Sequence, residues 1–149
     1  MNSAVYEEFL SSPDTLRVYE GDVLVFSSLK ERLLALLEYI EVSTGAHQGV
    51  VILDKVMGNA AALLAIKARC WEIGSPLGST LAVATLDKYT IKHYIERVVP
   101  YIQQDNREEM CPMEKLSIGK NPEEFYALMS SLAKRTADGG AEPADRNSA

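Results

Sequence analysis

Residues 49–62, Gly-Val-Val-Ile-Leu-Asp-Lys-Val-Met-Gly-Asn-Ala-Ala-Ala, constrain the fold more than any other stretch of the chain. An apolar run from Gly49 to Leu53 stops at two charged residues, Asp54 and Lys55, and Gly58 then opens an alanine-rich helical run. That pattern is a buried strand, a short turn and a helix whose N-terminus points back at the turn. Ligands collect at such junctions in α/β folds, because free backbone N–H groups and the helix dipole converge there.

The flanking segments extend this unit into an α/β order. Val5–Leu10 reads as a short helix with Val5, Phe9 and Leu10 inward, broken by Ser11-Ser12-Pro13-Asp14. Two alternating runs, Leu16–Tyr19 and Val23–Phe26, surround Glu20-Gly21-Asp22 and predict a tight hairpin. Ser28-Leu29-Lys30-Glu31 matches a capping box for a helix running to about Val42. The strand Val50–Leu53 and a helix over Asn59–Cys70 follow; that helix is apolar nearly all round and should be buried. Gly74–Ser79 reads as a loop, Leu81–Ala84 as a short apolar run like a strand, and Thr85 as the cap of a helix from Leu86 to about Val98. Val99–Ile102 looks extended. Asn121-Pro122-Glu123-Glu124 is the strongest helix start in the chain, leading to Phe125, Leu128, Met129 and Leu132. From Thr136 no large apolar residue remains. A single domain over 1–135 with a disordered tail over 136–149 is therefore expected. Hairpin, helix, strand, helix, strand, helix predicts a three-layer α/β/α domain on a mixed sheet.

Composition narrows the function. A chain of 149 residues that is 47% hydrophobic and 24% charged can bury an ordinary soluble core. A net charge of −6 argues against gripping a nucleic-acid backbone, which needs a basic face, but leaves room for one small nucleotide in a local pocket. Two cysteines, Cys70 and Cys111, make neither a disulfide framework nor a complete cysteine zinc site. Residues Met1–Glu8 lack the basic and apolar segments of a signal peptide, and no apolar run reaches the roughly 20 residues a membrane span needs. A cytoplasmic location with no membrane partner is expected.

Two segments carry candidate chemistry. At the Lys55–Gly58 turn an ammonium beside free N–H donors suits a phosphate, a carboxylate or a polarised carbonyl, with Asp54 orienting Lys55 or holding a ligand hydroxyl or amine. Asn59, at the helix start, completes this binding set. The competing reading is a plain turn with Asp54 and Lys55 in solvent. The pattern is neither a P-loop nor a dinucleotide fingerprint, since Gly-Lys-Ser/Thr and the extra glycines are missing. In Cys111-Pro112-Met113-Glu114, proline favours the first helical position, which sets Cys111 at the cap and Glu114 at the third position. A thiol there can act as nucleophile or metal ligand; equally, Cys111 can be a small buried hydrophobe and Glu114 a capping-box carboxylate. His47 and His93 lack ligand spacing. Cys70 beside Trp71, and Tyr89 and Tyr94, read as packing residues.

Leu16–Ser28, Val50–Leu64, Val99–Ile102 and Cys111–Glu114, in this order and spacing, resemble the prokaryotic domain-of-unknown-function 1893 family over roughly Leu16 to Leu132. The resemblance implies a cytidine deaminase-like fold, a mixed sheet sandwiched by helices with two helix N-termini meeting at the site. A zinc deaminase sets a His or Cys with a Glu at one helix start and Pro-Cys-x-x-Cys at the next. The corresponding starts here, Ser27–Lys30 and Asp54–Gly58, offer no such ligands. Conventional zinc-dependent deamination is thus not expected, and no metal or cofactor is assigned. Zinc-free members of that fold, among them the formyl-transferring enzyme of purine synthesis, use a lysine and a histidine, which keeps zinc-free chemistry open for Lys55.

Three functions remain in play. The first is a binding module for a small anionic or nucleotide-like ligand at Asp54, Lys55, Gly58 and Asn59. The second is a zinc-free group-transfer or hydrolytic enzyme with Lys55 or Cys111 as nucleophile and Asp54 or Glu114 handling protons. The third is an inactive interaction protein, its apolar helices and acidic surface being compatible with a homo-oligomer.

Overall fold

A computed structural model describes residues 2–31, 33–43, 49–103 and 109–139, with side chains to residue 135. Helix α1 (Ser3–Ser11) starts at Asn2, whose side chain accepts from the Ala4 and Val5 N–H groups. The hairpin β1 (Leu16–Glu20) and β2 (Val23–Ser28) follows. Then come α2 (Leu34–Ser43), β3 (Val50–Asp54), α3 (Asn59–Lys67), β4 (Cys70–Ser79), α4 (Thr80–Lys88), β5 (Lys92–Val99), α5 (Pro112–Ser117) and α6 (Pro122–Gly139).

The five strands form one mixed sheet in the order β2-β1-β3-β4-β5. β1 runs antiparallel to both neighbours, whereas β3, β4 and β5 are parallel. The expected α/β/α layering on a mixed sheet is what the chain adopts, with unequal layers. Alternation along β3 divides the core. Val50 and Ile52 join Leu36, Leu63, Leu64, Leu86 and Phe125 on the face covered by α2, α3, α4 and α6. Leu53 instead meets Tyr6 and Phe9 of α1 beside Tyr19 on the other face. The imbalance follows from handedness. Two successive right-handed crossovers, β3-α3-β4 and β4-α4-β5, move in one direction along the sheet and so deposit both helices on the same face. Helix α3 lies at the centre of that layer, with every residue from Asn59 to Ala65 buried. Its alanines let it approach the sheet and its neighbours closely.

Six expectations need correction. Gly74–Ser79 is the second half of strand β4, not a loop, and Leu81–Ala84 lies inside α4. Lys92–Val99 is a strand where a helix over Leu86–Val98 was expected. The cause is close packing at the sheet centre. A Cβ on Gly78 would stand 2.9 Å from Ile95 Cγ2 and 3.0 Å from the Met57 carbonyl oxygen, so only glycine fits. Pro76 is skipped in the ladder, between the pairs Ser75↔Ile95 and Leu77↔Arg97. Ser79, not Thr85, caps α4, its hydroxyl accepting from Ala82 N–H at 3.1 Å. Likewise Ser28 ends β2 and accepts from Lys30 N–H at 3.0 Å, so no capping box forms there and α2 begins at Leu34. Helix α3 stops at Lys67, before Cys70, where Arg69 turns left-handed (φ 67°).

Other expectations match. Asn121 and Glu124 exchange reciprocal bonds of 2.8 and 2.9 Å at the start of α6, a full capping box. That helix continues to Gly139, four residues into the segment expected as tail, and residues 140–149 lie outside the described residues.

Candidate functional site

Five of the six singled-out residues, Asp54, Lys55, Gly58, Cys111 and Glu114 but not Asn59, line one cavity of about 690 Å³. It opens beyond the carboxyl ends of β3 and β5 and against the first turn of α3. Segment 99–103 and helix α5 form the opposite wall. The position is the one that a parallel sheet with helix N-termini at its carboxyl edge prepares for a ligand.

The turn itself is held by backbone. Met57 donates to the Leu77 carbonyl at 2.7 Å and accepts from Ser79 N–H at 3.1 Å, which stitches the β3–α3 turn onto β4. Gly58, the residue before α3, is extended (φ −84°, ψ 177°) and has no side chain with which to cap the helix. The cap arrives from far along the chain. Glu114 is 2% exposed, and its Oε1 accepts from the Asn59 N–H at 2.5 Å while Oε2 accepts from the Ile102 N–H at 3.3 Å. A Cβ on Gly58 would stand 2.9 Å from both Glu114 Oε1 and Ile102 Cγ1, so glycine is required for α5 to close on α3. Glu114 thus sets a carboxylate on the positive end of the α3 dipole.

Asp54 is 8% exposed, and its Oδ1 accepts from the Val56 N–H at 3.2 Å. Burial pushes its carboxyl up from 3.8 to about 7, although the Val56 and Lys55 N–H groups and the Lys55 charge pull the other way. Near neutral pH this group exchanges a proton readily, a property concentrated at functional sites. Lys55 sends its ammonium away from that carboxylate. Its Nζ donates to the Ser12 and Asp14 carbonyls at 2.9 and 2.7 Å and sits 4.6 Å from the centre of the Phe9 ring. The ammonium therefore ties the segment after α1 to the end of β3. Asn59 also turns inward. Its side chain accepts from the Thr85 hydroxyl and donates to Ser117 Oγ at 2.9 Å, linking α3 to α4 and α5.

Cys111 is buried at the cap of α5, makes no side-chain cap bond, and donates its N–H to the Ile102 carbonyl at 2.8 Å. Cys70, the first residue of β4, has its thiol pushed up to about 12 by burial. His93 lies in β5 with Nε2 2.9 Å from Asp87 Oδ1, and His47 lies outside the described residues. Tyr89 caps the end of α4, and Tyr94 stands half-exposed on β5. Among the described residues no group of three or more His, Cys, Asp or Glu is placed to share a metal ion, and no helix is long and apolar enough to cross a membrane.

Sequence reasoning missed Arg97 and the first-turn amides of α3. Arg97 lines the cavity from the end of β5, a segment expected to be helical. The N–H groups of Ala60 and Ala61 also belong to the lining residues, and no acceptor among the described residues takes them. The glycine-to-alanine start of the helix was the signal for the amides; nothing in the local pattern marked Arg97.

A family model described as TM1506, domain of unknown function (DUF1893), matches residues 7–132. No curated protein matches the chain. Among solved structures, a DUF1893 family protein (TM1506) from Thermotoga maritima superposes with a TM-score of 0.74 at 22% identity, covering 87% of this chain and 88% of that one.

Proposed function

The chain belongs to the DUF1893 family, whose function is unknown, and from that footing we propose that it binds a small nucleotide-like molecule in the cavity at the β3–α3 turn. One observation carries the reading. Asp54, whose carboxyl is pushed up to about 7 by burial, Ala60 and Ala61, whose N–H groups have no acceptor among the described residues, and Arg97 are lining residues of one cavity of about 690 Å³. Volumes of roughly 300–1,000 Å³ are those of small-molecule sites. Asp54 suits the hydrogen-bonding edge of a base-like or amide-like group. The Ala60 and Ala61 amides and Arg97 suit an anionic substituent. Lys55 carries less of this task than its sequence position suggests, because its donors are directed to the Ser12 and Asp14 carbonyls. A cytidine deaminase-like relationship is part of the proposal; the hairpin-first order and the strand sequence β2-β1-β3-β4-β5 support it.

The test is a thermal-shift panel of nucleobases, nucleosides, nucleotides, inorganic phosphate and divalent metals on the wild type, Asp54→Asn and Arg97→Ala. A nucleotide-like compound should raise Tm, as ligands that bind only the folded state do. Arg97→Ala should remove most of that rise, whereas Asp54→Asn, which keeps position 54 uncharged, should retain it. A panel without any shift, or a full shift retained in Arg97→Ala, refutes the reading.

A second reading has its own observation: Cys111 and Asp54 share the cavity. A zinc-free acyl transfer would have the Cys111 thiol, its proton passing to Asp54, attack an acyl carbon of the ligand; the leaving group would depart with that proton, and water would then release the acyl group from Cys111. Protection of Cys111 from iodoacetamide by the panel's best ligand, with turnover abolished in Cys111→Ser, supports that reading; turnover unchanged in Cys111→Ser overturns it.

A further inference from the structure

Away from the cavity, the sheet ends in a long uncovered edge. β5 (Lys92–Val99) is the terminal strand, and among the described residues no strand pairs with its outer side. Lys92, Tyr94, Glu96 and Val98 are exposed along it, Tyr94 by 51% and Val98 by 50%. An edge of this length is a template for another strand. We propose that β5 pairs antiparallel with β5 of a second copy of this chain, about a twofold axis at Tyr94, fusing two five-stranded sheets into one.

Backbone parity and charge select that register. Alternate residues of an edge strand turn their N–H and C=O groups outward, so two identical edges in antiparallel pairing oppose residues of the same parity. The axis must then pass through a residue rather than between two. An axis at Glu96 would oppose two carboxylates directly, which is destabilising. An axis at Ile95 sets His93 against Arg97 and leaves Lys92 facing Val98. An axis at His93 shifts much of the pairing before the strand begins and sets Glu96 against Thr90. The axis at Tyr94 alone faces Lys92 of each copy with Glu96 of the other, and it brings the two Tyr94 rings together at the centre. Twofold symmetry makes the opposite-charge pair occur twice.

Charges on an edge usually guard it against pairing. Here the two opposite charges stand symmetrically about Tyr94, two residues to either side, which makes the edge complementary to itself. The central groups are also positioned beforehand. The Tyr6 hydroxyl donates to Glu96 Oε1 at 2.5 Å, and its ring meets Tyr94 edge-on with centroids 5.4 Å apart. Tyr94 and Glu96 then lose little side-chain freedom on association, while Lys92 must turn from Glu72 Oε2 of β4, 3.8 Å away, toward Glu96 of the second copy.

The test is sedimentation equilibrium of the full chain over a range of concentrations. The wild type should reach twice the 16.4 kDa chain mass. Glu96→Lys sets lysine against lysine twice and should raise the dimer dissociation constant by an order of magnitude or more. Lys92→Glu combined with Glu96→Lys should restore the dimer. Tyr94→Cys should crosslink under mild oxidation, because directly opposed Cβ atoms lie about 4.5–5.5 Å apart, whereas Val98→Cys should not. A wild type that stays monomeric, a Glu96→Lys variant that dimerises as the wild type does, or a doubly exchanged variant that folds by circular dichroism yet remains monomeric overturns the proposal.

Discussion

Asp54→Asn should flatten the pH dependence of stability between about pH 4 and 7 and stabilise the protein on the alkaline side. The Asp54 carboxyl stands at about 7 in the folded protein against 3.8 for an exposed aspartate. Folding therefore favours the protonated form. Below pH 3.8 both states carry the proton and the group contributes nothing. As pH rises toward 7 the unfolded chain has lost its proton while the folded one retains it, so stability falls; above about 7 both are ionised and the cost is constant. A shift of about three units at 1.36 kcal/mol each corresponds to roughly 4 kcal/mol. Asparagine keeps the shape and an oxygen to accept from Val56 N–H, but its amide N–H groups need acceptors, which returns about 1–3 kcal/mol of that gain. Urea denaturation at half-unit steps from pH 4 to 8 measures the difference, and carboxyl-carbon NMR of Asp54 gives the titration itself. Parallel curves for wild type and variant across this range, or an NMR midpoint near 4, would refute the burial argument.

Gly58→Ala should destabilise the fold by about 1–3 kcal/mol, because the new Cβ collides with Glu114 and Ile102 at 2.9 Å; a urea midpoint equal to the wild type's contradicts this. Lys55→Met should cost about 2–4 kcal/mol, leaving the Ser12 and Asp14 carbonyls without their charged donor, yet keep the ligand-induced rise in Tm. Loss of that rise in a folded Lys55→Met protein would return the anion-binding role to Lys55. Glu114→Ala should cost about 2–4 kcal/mol through the orphaned Asn59 and Ile102 N–H groups. Hydrogen exchange at Asn59 and Ile102 should accelerate with it, and unchanged protection would show that other acceptors suffice.

What the sequence revealed follows the range of the interactions involved. The β1–β2 hairpin and the β3–α3 junction were legible because alternation, a glycine and an alanine run all lie within a few residues. The β4–α4–β5 unit was not. Its strand is rich in glycine, serine and proline, which locally signal a loop, and the need for a bare Cα at Gly78 arises only when Ile95 and Met57 arrive from elsewhere. The same holds for the site. Asp54, Gly58 and Cys111–Glu114 were each visible in the sequence, but Glu114 reaches Asn59 across 55 residues of chain. Lys55 was read as a free cation because its acceptors, the Ser12 and Asp14 carbonyls, belong to a loop more than 40 residues away. Arg97 was hidden by the misassigned helix.

These placements change the electrostatics expected of the β3–α3 junction. An uncapped helix start beside a lysine would be a strong anion trap, yet here a buried carboxylate already occupies the Asn59 N–H, and the ammonium is directed to carbonyls of the opposite layer. Among the described residues, Ala60 and Ala61, whose amides have no acceptor there, and Arg97 remain to attract negative charge. An ionised Asp54 on the same wall would oppose an anionic ligand, whereas a protonated one would not. Binding of an anion-bearing molecule should therefore be coupled to retention of the Asp54 proton. Apparent affinity should fall as pH rises through about 7 in the wild type and change little in Asp54→Asn. Titration calorimetry in two buffers of different ionisation heat measures the coupling directly, as proton uptake upon binding near neutral pH. Proton release would reverse the assignment, identifying the group placed against Asp54 as a cation or a strong hydrogen-bond donor.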